Sequence, residues 1–283
     1  MTVAAEPVST GSHRTLGQLR SVMKSATAIH VTKDGNDTSG NGTQMFPYLT
    51  VTKAMTKVTS TRKIIRLSPG TYTEAAAIVW PTTVSGIQLI GVGNRWETVI
   101  SNSATGTQVI NVAPGLQTST FELTIQGVQI AHSNGQNGLV LNNTSMEQNL
   151  NCYFGQVGMD GEGDDQSVLV VHGDTSNAVR IYWDGGNGEV AGSINLAIAN
   201  DGDQFIVRNV DFAGDAIATG TNVAGTIEML YCRIPYRSFT GGGATTVISL
   251  AWCTSDNAGT LAPCDDATVT TNSDNDGPVI VGT

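Results

Sequence analysis

The sequence is short of charge. Charged residues make up only 13% of its 283 positions, about half the usual share. Aromatics are scarce too, at 6%. Positive charge is scarcest of all, with 14 Lys and Arg against 24 Asp and Glu and a net charge of −10. Without a basic stripe there are no counterions to release from a phosphate backbone, so no nucleic-acid partner is expected. No apolar run approaches the roughly 20 residues of a membrane helix, and no membrane partner is expected. The first residues lack a basic start, an apolar core and a small-residue cleavage site, so no secretory signal is read there. The four cysteines, Cys152, Cys232, Cys253 and Cys264, have none of the paired short spacings of a zinc site and are too few for a disulfide scaffold. Their expected role is that of small buried apolar residues. Hydrophobic residues nevertheless reach 40% and glycines number 33, the mark of a folded, turn-rich chain.

The stretch Lys63 to Ile100 organises the rest. Ile64, Ile65 and Leu67 form one apolar run, Ile78, Val79 and Trp80 a second, Ile87, Leu89 and Ile90 a third. Pro and Gly turns separate them, which predicts three strands facing different directions and leaves no room for a helix. Ahead of them, Met45 to Val58 places Tyr48, Val51, Ala54, Met55 and Val58 at helical spacing with Pro47 near the start. That pattern predicts a short amphipathic helix closing the end of a stack of strands.

Self-similarity at a fixed offset is the signature of a solenoid. Phe205 to Phe212 lies over Ile227 to Ile234 at an offset of 22, and that segment over Ile248 to Cys253 at 21. The predicted inward sets are Phe205, Val207 and Val210, then Ile227, Met229 and Cys232, then Ile248, Leu250 and Cys253. Leu123 to Ile130 matches the Phe205 segment at an offset of 82, read as four coils of slightly under 21. Such coils share a core and pair every backbone group with a neighbour about 4.8 Å away. They would also set Cys232 beside Cys253 and Tyr231 beside Trp252, the two thiols being expected to stay reduced in a cytoplasm. Further strands are expected at Val109 to Val112, Leu139 to Leu141, Val168 to Val171, Val179 to Trp183 and Ile194 to Ile198, and a last one at Val279 to Val281.

The order Asp34-Gly-Asn-Asp37, Phe46-Pro-Tyr-Leu-Thr50, Ala54, Ile64 to Leu67, Pro69-Gly-Thr-Tyr-Thr-Glu74, Leu89-Ile-Gly-Val-Gly93 and Thr98-Val-Ile100 resembles the opening of the pectin-lyase-like and pectinesterase-like right-handed parallel β-helix proteins. The resemblance covers the first third of the chain, where that family builds its cap and first coils and not its active site. The expected fold is therefore all-β: a single-stranded right-handed parallel β-helix with a short N-terminal capping helix. Residues 1–27 form an N-terminal arm, 28–256 the β-helix and 257–283 a C-terminal cap or interaction tail. The arm has a weak helical pattern at Leu16, Leu19, Val22 and Met23; docking onto another protein and packing on the chain's own flank remain equal alternatives.

Chemistry is thin. Asp160, Glu162, Asp164 and Asp165 alternate in a Gly-rich loop in a way that would suit calcium, but the spacing departs from known calcium loops, and a solvated acidic loop is the better reading. Asp201 with Asp203 and Asp211 with Asp215 are acidic pairs near turns, to which no role is given because the carboxylate separation of a glycosidase is not visible in a sequence. The Gln-Asp-Thr-Leu, Asp-Phe-Ile-Phe-Gly and Gly-Arg-Pro-Trp segments that the resemblance implies for pectinesterase activity are absent. Arg180, Arg208, Arg233 and Arg237 have no acidic partners by spacing. His13, His30, His132 and His172 are scattered, which leaves no Ser-His arrangement. Gly241 to Gly243 is a turn and not a phosphate-binding loop. Trp183, Tyr182, Tyr236 and Phe239, if exposed, would offer rings to sugars, although aromatics beside turns more often pack on neighbouring coils. No catalytic residue and no cofactor are assigned.

Two function classes follow. One is a non-catalytic virion structural protein of a bacteriophage. Within it, a capsid decoration (cement) protein is favoured over a tail spike or fibre: a trimer clipped to a major capsid or other virion protein by its arm, with adhesion to a host surface polysaccharide. The other is a polysaccharide-acting lyase, esterase or hydrolase. The structural class is preferred, and the expected location is the virion.

Overall fold

The computed structural model describes residues 27–271 except 116, 118, 134, 145–147, 162–166, 174–175, 191–193, 198–199, 201, 213–216, 220–223, 235–238, 241–244, 252 and 256–267. All of the 1–27 arm but its last residue, the Val279 to Val281 strand and Cys264 fall outside the described residues.

Among the described residues, ten strands pair in parallel along one face, one per coil: Ala28–Val31, Ile64–Leu67, Ile87–Gly91, Phe121–Gln126, Leu150–Gly161, Val179–Val190, Gln204–Phe212, Ala224–Leu230, Thr245–Ala251 and Thr268–Thr271. We number the coils 1 to 10 in that order. A second face is made by Ile78–Val79, Gln108–Val112, Asn137–Asn142, Leu169–His172, Ile194–Ala197, Ile217–Thr219 and Phe239–Thr240. A third carries Gly70–Glu74, Thr98–Asn102 and Gln129–His132, continues through the far halves of the long strands of coils 5 to 7, and ends with Arg233–Ile234 and Thr254–Ser255. Every pairing is parallel, and the chain winds as a right-handed parallel β-helix. The ten described rungs span about 45 Å.

The register is continuous. Ile29, Ile65, Leu89, Ile125, Phe154, Trp183, Val207, Met229, Leu250 and Thr271 occupy one position on successive coils, at sequence steps of 36, 24, 36, 29, 29, 24, 22, 21 and 21. Phe205 stacks on Ile227 and Ile227 on Ile248, as their offsets predict. The interval from Leu123 to Phe205 is a correction, because it spans three coils through Cys152 and Ile181 and not four. Early coils are longer because their turns carry loops, which extend the chain without breaking the ladder. The runs at Ile64 and Ile87 likewise share one face, a coil apart; the third direction belongs to Gly70–Glu74.

Inward columns are apolar throughout the middle coils. Leu123, Cys152, Ile181, Phe205 and Ile227 are buried in one, and Tyr72, Ile100, Ile130, Met159 and, beyond Gly188 of coil 6, Phe212 in another. Each coil thus supplies an apolar floor for the next, which is how a thin coil acquires a core. Trp183 belongs to this interior, at 1% exposure, and is not a surface ring.

The helix is shorter than its pattern predicts. It runs Val51–Met55, with Thr50 as N-cap accepting from the Lys53 amide, and we label it α1. Pro47 and Tyr48 lie outside it because that chain is committed to pairing with coil 1. Tyr48 N donates to His30 O and Thr32 N to Tyr48 O, while Gly42 O accepts from His30 N, each at 2.9 Å. This loop covers the hydrogen-bonding edge of the first strand. Helix α1 closes the apolar end, burying Val51, Ala54 and Met55. The carboxylate of Glu74, 3% exposed, accepts from Val51 N at 2.8 Å and Thr52 N at 3.2 Å, placing negative charge on the helix N-terminus.

Candidate functional site

In coils 4 to 8 the chain turns from the first face to the third through one residue with left-handed backbone. Gly127, Gln156, Gly185, Asn209 and Tyr231 occupy this corner in coils 4 to 8, with φ of 64°, 53°, 71°, 54° and 54°. Only glycine adopts this conformation without cost, so three side chains are held there by the ladder on both sides. Polar residues gather along the corner, Gln129 and Asn187 among them nearly buried at 8% and 7% exposure. Before it stand Gln126, Gly155, Asp184 and Arg208 in coils 4 to 7. After it stand Gln129, Gly158, Asn187, Asp211 and Arg233 in coils 4 to 8.

Neighbouring coils connect this strip by polar contacts. Gln129 Nε2 donates to Asp160 Oδ2 at 2.8 Å and Asn209 Nδ2 to Asp184 Oδ1 at 3.0 Å. Arg233 Nε and Asp211 Oδ1 form an ion pair of 2.9 Å, both side chains close to half exposed. A 3₁₀ turn at Arg95–Glu97, held by an Asn94 capping box, stands beside coil 5. From it Arg95 Nη1 donates to Gln156 Oε1 at 3.4 Å, and the guanidinium lies 4.6 Å from the ring centroid of Trp96, which is 44% exposed. The result is a row of carboxylates, amides and guanidinium groups advancing about 4.8 Å per coil, with an indole at one side. Such a row can donate to and accept from a polyhydroxyl chain laid along the axis.

Several sequence expectations change here. Arg233 has an acidic partner, Asp211, which lies one coil away. Asp203 is fully buried and accepts from Val179 N at 2.7 Å and Asn200 N at 3.0 Å, a structural task; Asp201, Asp215 and Arg237 lie outside the described residues. Asp160 belongs to the strip, while Glu162, Asp164 and Asp165 are also outside; among the described residues no group of three or more His, Cys, Asp or Glu gathers as a metal site. Tyr182 stacks on Tyr153 of the preceding coil at 5.4 Å and 11°, each ring giving one face to the other while Tyr153 stays 40% exposed. The side chains of Tyr236 and Phe239 are not among those described.

His30, His132 and His172 stand on coils 1, 4 and 5 and do not converge. Burial, then Arg66 and Arg62, hold His30 below its usual 6.5, and burial does the same for His132. A histidine whose folded pKa is depressed binds its proton more readily when unfolded. Its contribution is therefore complete above pH 6.5 and lost as pH falls through 6.5 toward the folded value. Urea midpoints should decline from neutral to mildly acidic pH, and His132→Gln should flatten that decline; an unchanged slope would contradict the assignment.

Arg95, Trp96, Gln129, Gln156, Asp184 and Asn209 are site residues that sequence reading does not single out. Their signal exists only in coils of unequal length: Gln126, Gly155, Asp184 and Arg208 align at steps of 29, 29 and 24, which a fixed offset near 21 scrambles.

Comparison with known proteins bears on the architecture. A family model described as "Protein of unknown function (DUF1565)" matches residues 33–161. No curated protein matches the chain. Among solved structures, pectin methylesterase from carrot is similar at 12% identity and a TM-score of 0.50, over 90% of this chain and 88% of that one. The chain shares the parallel β-helix fold of that protein. Pectin methylesterase PemA from Erwinia chrysanthemi matches at 13% identity and TM-score 0.46, over 85% and 80% of the two chains. Geobacillus virus E2 ORF18 matches at 14% and 0.42, over 93% and 64%. At such identities the carrot likeness extends to the fold and no further.

Proposed function

We propose that this pectin-lyase-like β-helix is a non-catalytic structural rod whose corner strip binds an extended surface polysaccharide. The observation that carries the reading is the strip itself: polar side chains on coils 4 to 8, with Gln129–Asp160 joining coils 4 and 5, Asn209–Asp184 coils 6 and 7, and Asp211–Arg233 coils 7 and 8. Each carboxylate is already held by an amide or guanidinium partner, which favours ligand recognition over proton transfer. The setting we assign is a bacteriophage virion, with the rod as a capsid decoration protein, three copies associating and residues 1–27 docking onto the capsid lattice. Low charge and an abundance of Gly, Ser, Thr and Asn support that setting. Cryo-microscopy of the native particle should find it in many copies on the lattice; a few copies at a tail tip would make it a spike.

A second reading rests on one observation. The half-exposed Asp211–Arg233 pair is a carboxylate and a cation side by side, parts that a polysaccharide lyase, esterase or hydrolase could use. Both readings meet in one experiment with the full chain on arrayed bacterial capsular and O-chain polysaccharides. Retention without release of shortened or de-esterified product is expected, and joint replacement of Asp211 and Arg233 by alanine should weaken retention about tenfold or more, as loss of a charged contact does. Product release would establish the enzyme instead. Absence of retention on every glycan would remove the adhesive role.

A further inference from the structure

Coils 8 and 9 carry a pair of thiols that the strip does not use. Leu230 pairs with Ala251 and Arg233 with Thr254, so the same register sets Cys232 opposite Cys253 on the next rung. Cys232 is 1% exposed, and Cys253 is partly buried against the same core. Their sulfurs are anchored from both sides: Cys232 Sγ donates to Leu230 O at 3.4 Å and lies 3.7 Å from Val207 O, while Cys253 Sγ donates to Met229 O at 3.4 Å. Both are thiols, as is Cys152 in coil 5. Rungs about 4.8 Å apart fall inside the Cα separations of roughly 4.4 to 6.8 Å that a disulfide accepts.

We infer that Cys232 and Cys253 form an oxidisable staple, a disulfide that locks coil 8 to coil 9 when the protein meets a low-molecular-weight disulfide such as oxidised glutathione. Cys253, the more exposed of the two, attacks that disulfide as its thiolate and expels one small thiol, leaving a mixed disulfide. Cys232 then gives up its proton to solvent, attacks the Cys253 sulfur and expels the second small thiol. Two protein thiols are oxidised to one S–S bond, and the small disulfide, taking up the two electrons and two protons, is reduced to two thiols. A hydrogen bond with Cys253 and then burial push the Cys232 thiol far up, which explains why the order begins at Cys253. The loop closed between Cys232 and Cys253 constrains the unfolded chain, so the staple raises thermal stability.

The experiment uses the full chain, folded, titrated with oxidised glutathione, alkylated, digested and read by mass spectrometry alongside its thermal midpoint. Expected are one cross-linked peptide joining Cys232 to Cys253, an intact Cys152 thiol, a midpoint raised by several degrees, and reversal by reductant. Cys253→Ser should abolish the cross-link while leaving the reduced fold intact, and Cys232→Ser should leave a glutathionylated Cys253. Cross-links to Cys264 or Cys152, a protein whose thiols all remain alkylatable, or a lowered midpoint on oxidation would each overturn the inference.

Discussion

Replacing Trp183 by alanine is expected to destabilise the protein by about 3 to 5 kcal/mol, the range for deleting a large buried aromatic. The ring lies between two coils. Its edge-to-face partners are Phe154 of coil 5 at 6.2 Å and 83° and Phe212 of coil 7 at 5.6 Å and 83°. Its indole N–H donates to Gly185 O at 3.1 Å across the corner. The substitution therefore opens a cavity, removes two aromatic contacts and leaves a corner carbonyl without its donor. Urea unfolding followed by circular dichroism reads the effect, and Trp183→Phe should recover part of it. A loss under about 1 kcal/mol would mean that the ring packs against nothing, as a surface aromatic would.

The second large effect is expected at Glu74. Its buried carboxylate takes the first two amides of α1, Val51 N and Thr52 N, and a charge-assisted hydrogen bond contributes about 1.5 to 3 kcal/mol. Glu74→Ala should cost about 2 to 4 kcal/mol by the same unfolding measurement. Glu74→Gln keeps one acceptor and should cost less. Because α1 closes the apolar end of coil 1, hydrogen exchange in Glu74→Ala should rise first at Ala28–Val31 and Ile64–Leu67. A uniform rise over all coils, or no change in stability, would contradict the capping role.

Much of this architecture is legible in the sequence. The offsets alone place Phe205, Ile227 and Ile248 on neighbouring rungs, because the late coils have short turns and an almost constant length. The same reasoning fails between Leu123 and Phe205, where loops of differing length stretch the steps to 29 and 24. Periodicity records the strands, whose apolar columns must match, and is blind to turns, which need match nothing. Tyr48 shows a related limit: its spacing suits a helix, yet its backbone serves the open edge of coil 1. The strip is illegible for a third reason. Asp211 and Arg233, or Gln129 and Asp160, become neighbours only through coil stacking, and their side chains meet no local motif. Trp183 packs on the neighbouring coils, as aromatics beside turns more often do, but the sequence leaves the alternative of an exposed ring open because such residues read alike whether they face in or out.

The stacking itself is tested most directly by a crystal structure at side-chain resolution, measuring Cα separations down the column Leu123, Cys152, Ile181, Phe205 and Ile227. Four consecutive steps of about 4.8 Å, with no rung between them, are the expected result. An additional coil between Leu123 and Phe205, or any of the five side chains turned outward, would contradict it.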